Sequence, residues 1–189
     1  LLLRNVPRFP HALTHAVALA AAAAGETIVA AVGGKVKVDV KWPNDLLVDG
    51  RKLAGILSVT GPIKQLMTDI ESYAAPEFVV VGLGLNVGWA PEGAACLQEC
   101  ATAEVERDAV LSALLGALDR LLDLTPVQLH ERYRAKLSTL RRAVRIELPS
   151  GEFVEGRALD VEADGRLVVL DSCGVTQRLD VGDIIHLRS

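Results

Sequence analysis

The chain has 189 residues, half of them hydrophobic and few aromatic, with 20 Lys and Arg against 24 Asp and Glu and a net charge of −4. That length suits one ordinary domain, or one with a small appendage, built on Ala, Val and Leu. The acidic balance excludes a nonspecific nucleic-acid binder, yet residues 1–60 carry seven cations (Arg4, Arg8, Lys35, Lys37, Lys41, Arg51, Lys52) against four anions (Glu26, Asp39, Asp45, Asp49), a locally basic stretch.

Leu1–Arg4 reads as the end of a strand cut from something longer, in an N-terminally shortened chain. Residues 11 to about 32 predict an alanine-rich helix ended by Gly33-Gly34, which Gly25 weakens and splits if it breaks anywhere. Its run Ala16–Ala24 is too short and too alanine-rich for a membrane span and reads as a buried helix. Val36, Val38 and Val40 alternate with charged residues, the pattern of a half-buried strand, and Pro43 ends it. Leu46–Val48 and Leu53–Val59 form strands around an Asp49-Gly50 hairpin turn. Lys64–Tyr73 reads as a short helix, Phe78–Val87 as an apolar strand, and the stretch to about Ala103 as loop. Glu104–Leu124 predicts an amphipathic helix through Leu111, Leu114, Leu115, Leu118, Leu121 and Leu122, and Pro126–Leu137 a second one with proline in its first turn. Beyond Arg142 five short strands alternate with turns: Val144–Leu148, Phe153–Asp160, Leu167–Asp171, Thr176–Leu179 and Ile184–Leu187. The fold class is therefore α+β: a mixed sheet with packed helices over 1–140, then a small β-barrel over 141–189.

The chemistry concentrates in Lys41-Trp42-Pro43-Asn44-Asp45 and Lys52-Leu53-Ala54-Gly55. Lysines at strand ends hold carboxylates or phosphates as point charges. Asp45 is a candidate Mg²⁺ ligand, and Asn44 offers a donor and an acceptor. These parts suit attack of a carboxylate on an ATP α-phosphate, which needs positioning and charge neutralisation more than a protein nucleophile. The plain alternative is a solvated, lysine-rich turn, against which the bulky Trp42 and rigid Pro43 weigh. Gly82, Gly84 and Gly88 do not make a dinucleotide fingerprint; glycines inside a strand mark close approach of a ligand or a neighbour, with Asn86 at the strand end. Cys96, Cys100 and Cys173 complete no zinc site and suit a reducing cytoplasm. His11, His15, His130 and His186 are scattered, and Arg188 is a terminal cation without a local partner.

With Lys52-Leu53-Ala54-Gly55-Ile56-Leu57 and Val81-Gly82-Leu83-Gly84-Leu85-Asn86-Val87 following Lys41–Asp45 in order, the chain resembles the biotin protein ligases over nearly its whole length. The resemblance implies a class II synthetase-like catalytic domain with an SH3-like C-terminal domain. It implies that biotin and Mg-ATP give biotinyl-5′-adenylate, whose biotinyl group passes to a lysine of a carrier protein. By the same resemblance Lys52 is the catalytic lysine at the biotin carboxylate and adenylate. Lys41, Trp42, Asn44, Gly55 and Arg188 belong to substrate binding, and Asp45 and Asn86 to Mg-ATP. The expected partner is a biotin carboxyl carrier domain in the cytoplasm; a homodimer stays open, and no membrane or nucleic acid is expected. The family's Gly/Arg-rich adenylate loop falls before Leu1, so weak biotin binding and little adenylate are expected, and residues 60–77 are longer than the family's usual link. A lipoate-type ligase and a noncatalytic carrier-binding or regulatory module are the alternatives.

Overall fold

The structure is a computed structural model and describes residues 2–3, 11–67, 72–180 and 182–187. Alanine has the highest helix propensity, and helix α1 (His11–Ala31) runs unbroken through Gly25. A Cβ at Gly25 would come within 3.0 Å of Leu97 Cδ2, so glycine there serves close packing and does not split the helix. Gly33, at φ +79, takes the left-handed position that ends α1, and Gly34 donates to the Val29 carbonyl at 2.8 Å. By length and composition α1 could cross a membrane, but two-thirds of its most apolar window is buried inside the protein. Ala16, Ala20 and Ala21 are wholly buried. Small side chains let a sheet and two helices close around α1 on several sides.

The sheet under α1 has the order β1-β7-β4-β3-β2, with β1 Leu2–Leu3, β2 Asp39–Lys41, β3 Asp45–Val48, β4 Arg51–Thr60 and β7 Val79–Leu85. The sheet read as mixed pairs all of these strands antiparallel. Short hairpin connections can join only antiparallel neighbours; the parallel contact is an isolated bridge from Val40 to Leu137. The helix expected over Lys64–Tyr73 is instead a β-ribbon, β5 (Ile63–Met67) on β6 (Ser72–Pro76). It prolongs the β4–β7 pair, because Gly61 donates to Phe78 and Glu77 to Pro62, both at 2.9 Å. Established register overrides weak helical patterning here.

A 3₁₀ turn at Leu97–Cys100 interrupts the expected loop. Helices α2 (Arg107–Leu122) and α3 (Pro126–Lys136) pack on α1. Of the six expected leucines, Leu114, Leu118 and Leu121 face the core, while Leu111, Leu115 and Leu122 are exposed. Thr125 and Gln128 form a capping box ahead of Pro126. All five C-terminal strands appear: β8 Ala143–Glu147, β9 Phe153–Val161, β10 Leu167–Asp171, β11 Thr176–Leu179 and β12 Asp183–His186. They form an antiparallel sheet ordered β11-β10-β9-β8-β12, the SH3-like unit.

Trp42, 1% exposed, joins the two sheets. Its amide donates to Thr139 Oγ1 at 3.1 Å, and its indole donates to the Gly165 carbonyl, in the β9–β10 turn, at 2.9 Å. The next peptide bond, Trp42-Pro43, is cis. Tyr133 of α3 donates to the Pro43 carbonyl at 3.2 Å, and its ring stacks on His15 of α1 with centroids 3.6 Å apart. Glu26 of α1 accepts from the Val38 amide at 2.9 Å and pairs with Lys136 at 2.6 Å, tying both flanks of the core to α1.

Burial of His15, reinforced by the charges of His11 and His130, pushes its pKa from 6.5 down to about 3. The folded protein therefore keeps a neutral ring where the unfolded chain takes up a proton. The stability His15 contributes is present above pH 6.5 and is lost as pH falls toward about 3. Each pH unit in that window removes up to about 1.4 kcal/mol. His15→Phe keeps the stack on Tyr133 and removes the titration, so urea unfolding at about pH 4–6 should show a shallower acid slope. An unchanged slope would rule out His15 as a source of the acid loss.

Candidate active site

Residues of the two sequence blocks meet in one row across the first sheet. Lys41 pairs with Asp45, Asp45 with Gly55, and Gly55 with Gly84, so the four share one face. Strand alternation would place Lys52, three residues from Gly55, on the other face. A β-bulge prevents that: Leu46 pairs with Ala54 but Leu47 with Lys52, leaving Leu53 as the extra residue. Leu53 and Ala54 both turn inward, at 0% and 2% exposure, and Lys52 turns outward beside Gly55. Bulges re-aim side chains in this way.

Lys52 Nζ lies 2.6 Å from Asp45 Oδ1; the lysine side chain is 55% exposed and the aspartate 14%. The lysine crosses directly over Gly55, where a Cβ would sit 3.3 Å from Lys52 Cε. Glycine at position 55 thus leaves room for the lysine stem, on which a side chain there would press. At Gly84 and Gly82 an added Cβ would meet only carbonyl oxygens, at 4.0 and 3.8 Å. Protein packing does not demand glycine there, and the sheet presents bare backbone to open space.

The backbone of Lys52 is held from the loop after β7. Ala95 donates to the Lys52 carbonyl at 2.9 Å. Asn86 Nδ2 donates to the Ala95 carbonyl at 3.0 Å and to that of Lys52 at 3.4 Å. Next along β4, Arg51 donates to the Ala94 carbonyl at 2.9 Å and pairs with Glu99 at 2.7 Å. Asn44 is likewise a clamp, its Nδ2 donating to the Ile56 carbonyl and its own carbonyl accepting from the Ile56 amide, both at 2.8 Å.

The row opens into a cleft of about 1010 Å³ whose far wall is β12, with Gly182, Asp183 and Ile184. Lys41, 18% exposed, reaches Asp183 across it at 3.4 Å. Five of the expected site residues line the cleft: Lys41, Asn44, Asp45, Lys52 and Gly55. Trp42 does not, being a buried post between the sheets, and Asn86 acts from behind Lys52 as a positioning residue. Arg188 lies outside the described residues. Ile184–Leu187 is expected as a strand, but its place as a wall of this cleft has no sign in the sequence. His186, also on this wall, has its pKa lowered by burial and by the charges of Arg142 and Lys41. Among the described residues, no three His, Cys, Asp or Glu side chains are grouped to hold a metal.

Two family models match the chain: the biotin/lipoate A/B protein ligase family over residues 2–69 and the biotin protein ligase C-terminal domain over residues 139–187. The first span contains Lys41, Asp45, Lys52 and Gly55, and the second contains β8–β12. A biotin–[acetyl-CoA-carboxylase] ligase of Mycobacterium tuberculosis is 40% identical over 157 residues, 79% of this chain and 53% of its own length.

The chain belongs to the biotin protein ligase family.

A bifunctional ligase/repressor, BirA of Bacillus subtilis, is 27% identical over 172 residues, 83% of this chain and 48% of its own. The chain thus spans about half the length of these curated relatives. Among solved structures, apo biotin protein ligase from Aquifex aeolicus has a TM-score of 0.71 at 20% identity, covering 94% of this chain and 75% of that one. The same ligase in complex with biotin and ATP has a TM-score of 0.66 over 94% and 72%. At that identity the likeness is one of fold, and the biotin protein ligase fold is the one this chain adopts.

Removing the clamp behind Lys52 with Asn86→Ala should cost about 1–2 kcal/mol, since it leaves the Ala95 carbonyl without its donor while the Lys52 carbonyl keeps the Ala95 amide. Hydrogen exchange at the Ala95 and Leu97 amides should quicken while that of α1 stays slow. Unaltered protection at Ala95 would show that the clamp does not hold this loop.

Proposed function

We propose that this chain is the core of a biotin protein ligase that activates biotin with ATP and transfers the biotinyl group to a lysine of a carrier protein. The observation that carries the reading is Lys52, aimed by the Leu53 bulge and laid over Gly55, above a floor of bare backbone at Gly84. A cation over uncovered backbone suits a flat ligand bearing a carboxylate or phosphate. The C-terminal match favours biotin over lipoate. We further propose a division near residue 140 into a catalytic domain and the SH3-like domain. Three free cysteines support a cytoplasmic setting.

In this reading the Lys52 ammonium exchanges Asp45 for the biotin carboxylate and holds it against the ATP α-phosphate. The carboxylate oxygen attacks phosphorus, the bond to the β-phosphate oxygen breaks, and biotinyl-5′-adenylate and pyrophosphate result. Lys52 and Lys41 stabilise the charge that crowds onto the phosphoryl oxygens. In the second step the amine of the carrier lysine attacks the acyl carbon and AMP leaves, with the amine's proton lost to solvent. Mg²⁺ brought in with ATP would neutralise part of the phosphate charge. Asp45 offers it one carboxylate, and a single protein carboxylate with phosphate oxygens and waters is enough for that ion. Asn86 serves by fixing Lys52.

The test is incorporation of labelled biotin into a carrier domain with ATP and Mg²⁺. Lys52→Ala should lower kcat/KM by about 100-fold, the scale of one lost electrostatic contact to the transition state. Gly55→Val should lower it comparably by displacing Lys52, with a loss of stability of about 1 kcal/mol because the lysine end of the pair is solvent-exposed. Full labelling by both variants would overturn the role given to Lys52, and adenylate formation from lipoate but not biotin would move the chain to the other branch.

A further inference from the structure

A second cleft, about 1230 Å³, lies around the junction of the two sheets from the first and meets it at Leu47, Gly50 and His186. Arg141, Arg142 and Arg157 line it, all three exposed. Arg157 is the cross-strand partner of Ala143, the residue after Arg142, and both arginines line the cleft. None of the three makes an ion pair among the described residues. The acids on the same rim are engaged: Asp39 with Lys37 at 2.8 Å, Glu155 with Arg145 at 3.5 Å, and Asp171 in its own turn with the Cys173 and Val175 amides at 2.9 and 2.8 Å.

The backbone here is also unusual. Arg141 sits at φ +67, a left-handed conformation that costs a residue with a Cβ about 1–2 kcal/mol. Its amide is held to the Ala158 carbonyl at 2.7 Å, and the Ala158 amide to the Arg142 carbonyl at 3.0 Å. The tight turn places consecutive arginines at the mouth of the groove. Leu170 and Leu187, 36% and 39% exposed, supply an apolar floor.

We infer that this groove docks an acidic segment of the carrier protein, delivering its lysine to the neighbouring Lys52 cleft; the inference rests on the ligase reading. Three uncommitted guanidinium groups favour carboxylates. An acidic segment approaching a protein of net charge −4 is drawn to a local cluster of unpaired cations such as this one. An extended peptide fits better than a compact polyphosphate, because the groove is partly apolar, with Leu170 and Leu187 in its lining, and continues into the first cleft. Its continuity with the first cleft gives the docked partner a direct route to the activated acyl group.

The test is binding of a fluorescently labelled, acidic biotin carboxyl carrier domain to the full chain. Affinity should fall steeply from about 10 to about 150 mM salt, as the Debye length shrinks from about 30 to about 8 Å. The double variant Arg142→Glu, Arg157→Glu should weaken it about tenfold, as two reversed rim charges predict, while Arg120→Glu on α2 should leave it unchanged. Unchanged biotin binding by the double variant shows that it folds. Equal carrier affinity in the double variant and the parent overturns the proposal, as does an equal loss with Arg120→Glu. Inorganic triphosphate binding that the double variant abolishes, without carrier binding, overturns it in favour of a phosphate site. Carrier binding that depends on these arginines, without any biotin transfer, supports the groove and removes the ligase reading. Adenylate formation with carrier binding independent of them removes only the groove.

Discussion

One extra residue in strand β4 sets the geometry on which the candidate site depends. Side chains of a strand alternate, so a lysine three positions from a glycine belongs on the opposite face. The bulge at Leu53 reverses that parity and brings Lys52 onto the face shared by Lys41, Asp45, Gly55 and Gly84. It also sends two consecutive apolar residues, Leu53 and Ala54, into the core. Core packing and the placing of the cation are therefore one event: the bulge cannot relax without exposing Leu53 or burying the ammonium.

A second constraint keeps the cleft in shape. Its two walls come from different sheets, and Trp42 fixes them to each other through the Thr139 hydroxyl and the Gly165 carbonyl. Such a post must be rigid, and burial of the indole at 1% exposure makes it so. Tyr133 holds the adjoining Pro43 carbonyl and stacks on His15, so α1 and α3 brace the same turn. The indole N–H of Trp42 and the hydroxyl of Tyr133 both find partners, as buried polar groups must. By contrast the Lys41–Asp183 contact across the cleft is long and exposed, and a ligand can replace it at little cost.

Much of this was legible in the residues. The alanine helix, the Asp49-Gly50 hairpin with both residues at positive φ, and the five C-terminal strands follow from local propensity and turn chemistry. The ribbon at Ile63–Pro76 was not, because it exists only by continuing the register of β4 and β7. The family resemblance assigned Trp42 to substrate binding, and its place among charged residues gave no sign of burial. Its neighbours Thr139 and Gly165 are distant in sequence, and nothing local announces them. Asn86 drew attention as a residue on the Mg-ATP side, and the bonds of its amide to the Lys52 and Ala95 carbonyls, from a strand end to a loop, had no sign in the sequence.

The sequence by itself determined which chemical groups are present, in what order, and on which kinds of element they stand: two lysines, an aspartate and a set of glycines on hairpin strands, ahead of a β-rich tail. Those features are encoded by near neighbours along the chain. Only the tertiary structure decided which groups face the same space. That choice rests on the bulge parity at Leu53, on the bare backbone at Gly55 and Gly84, and on the burial of Trp42 against a turn more than a hundred residues away. Each is set by packing between strands and sheets, and packing has no signature in a short window of sequence.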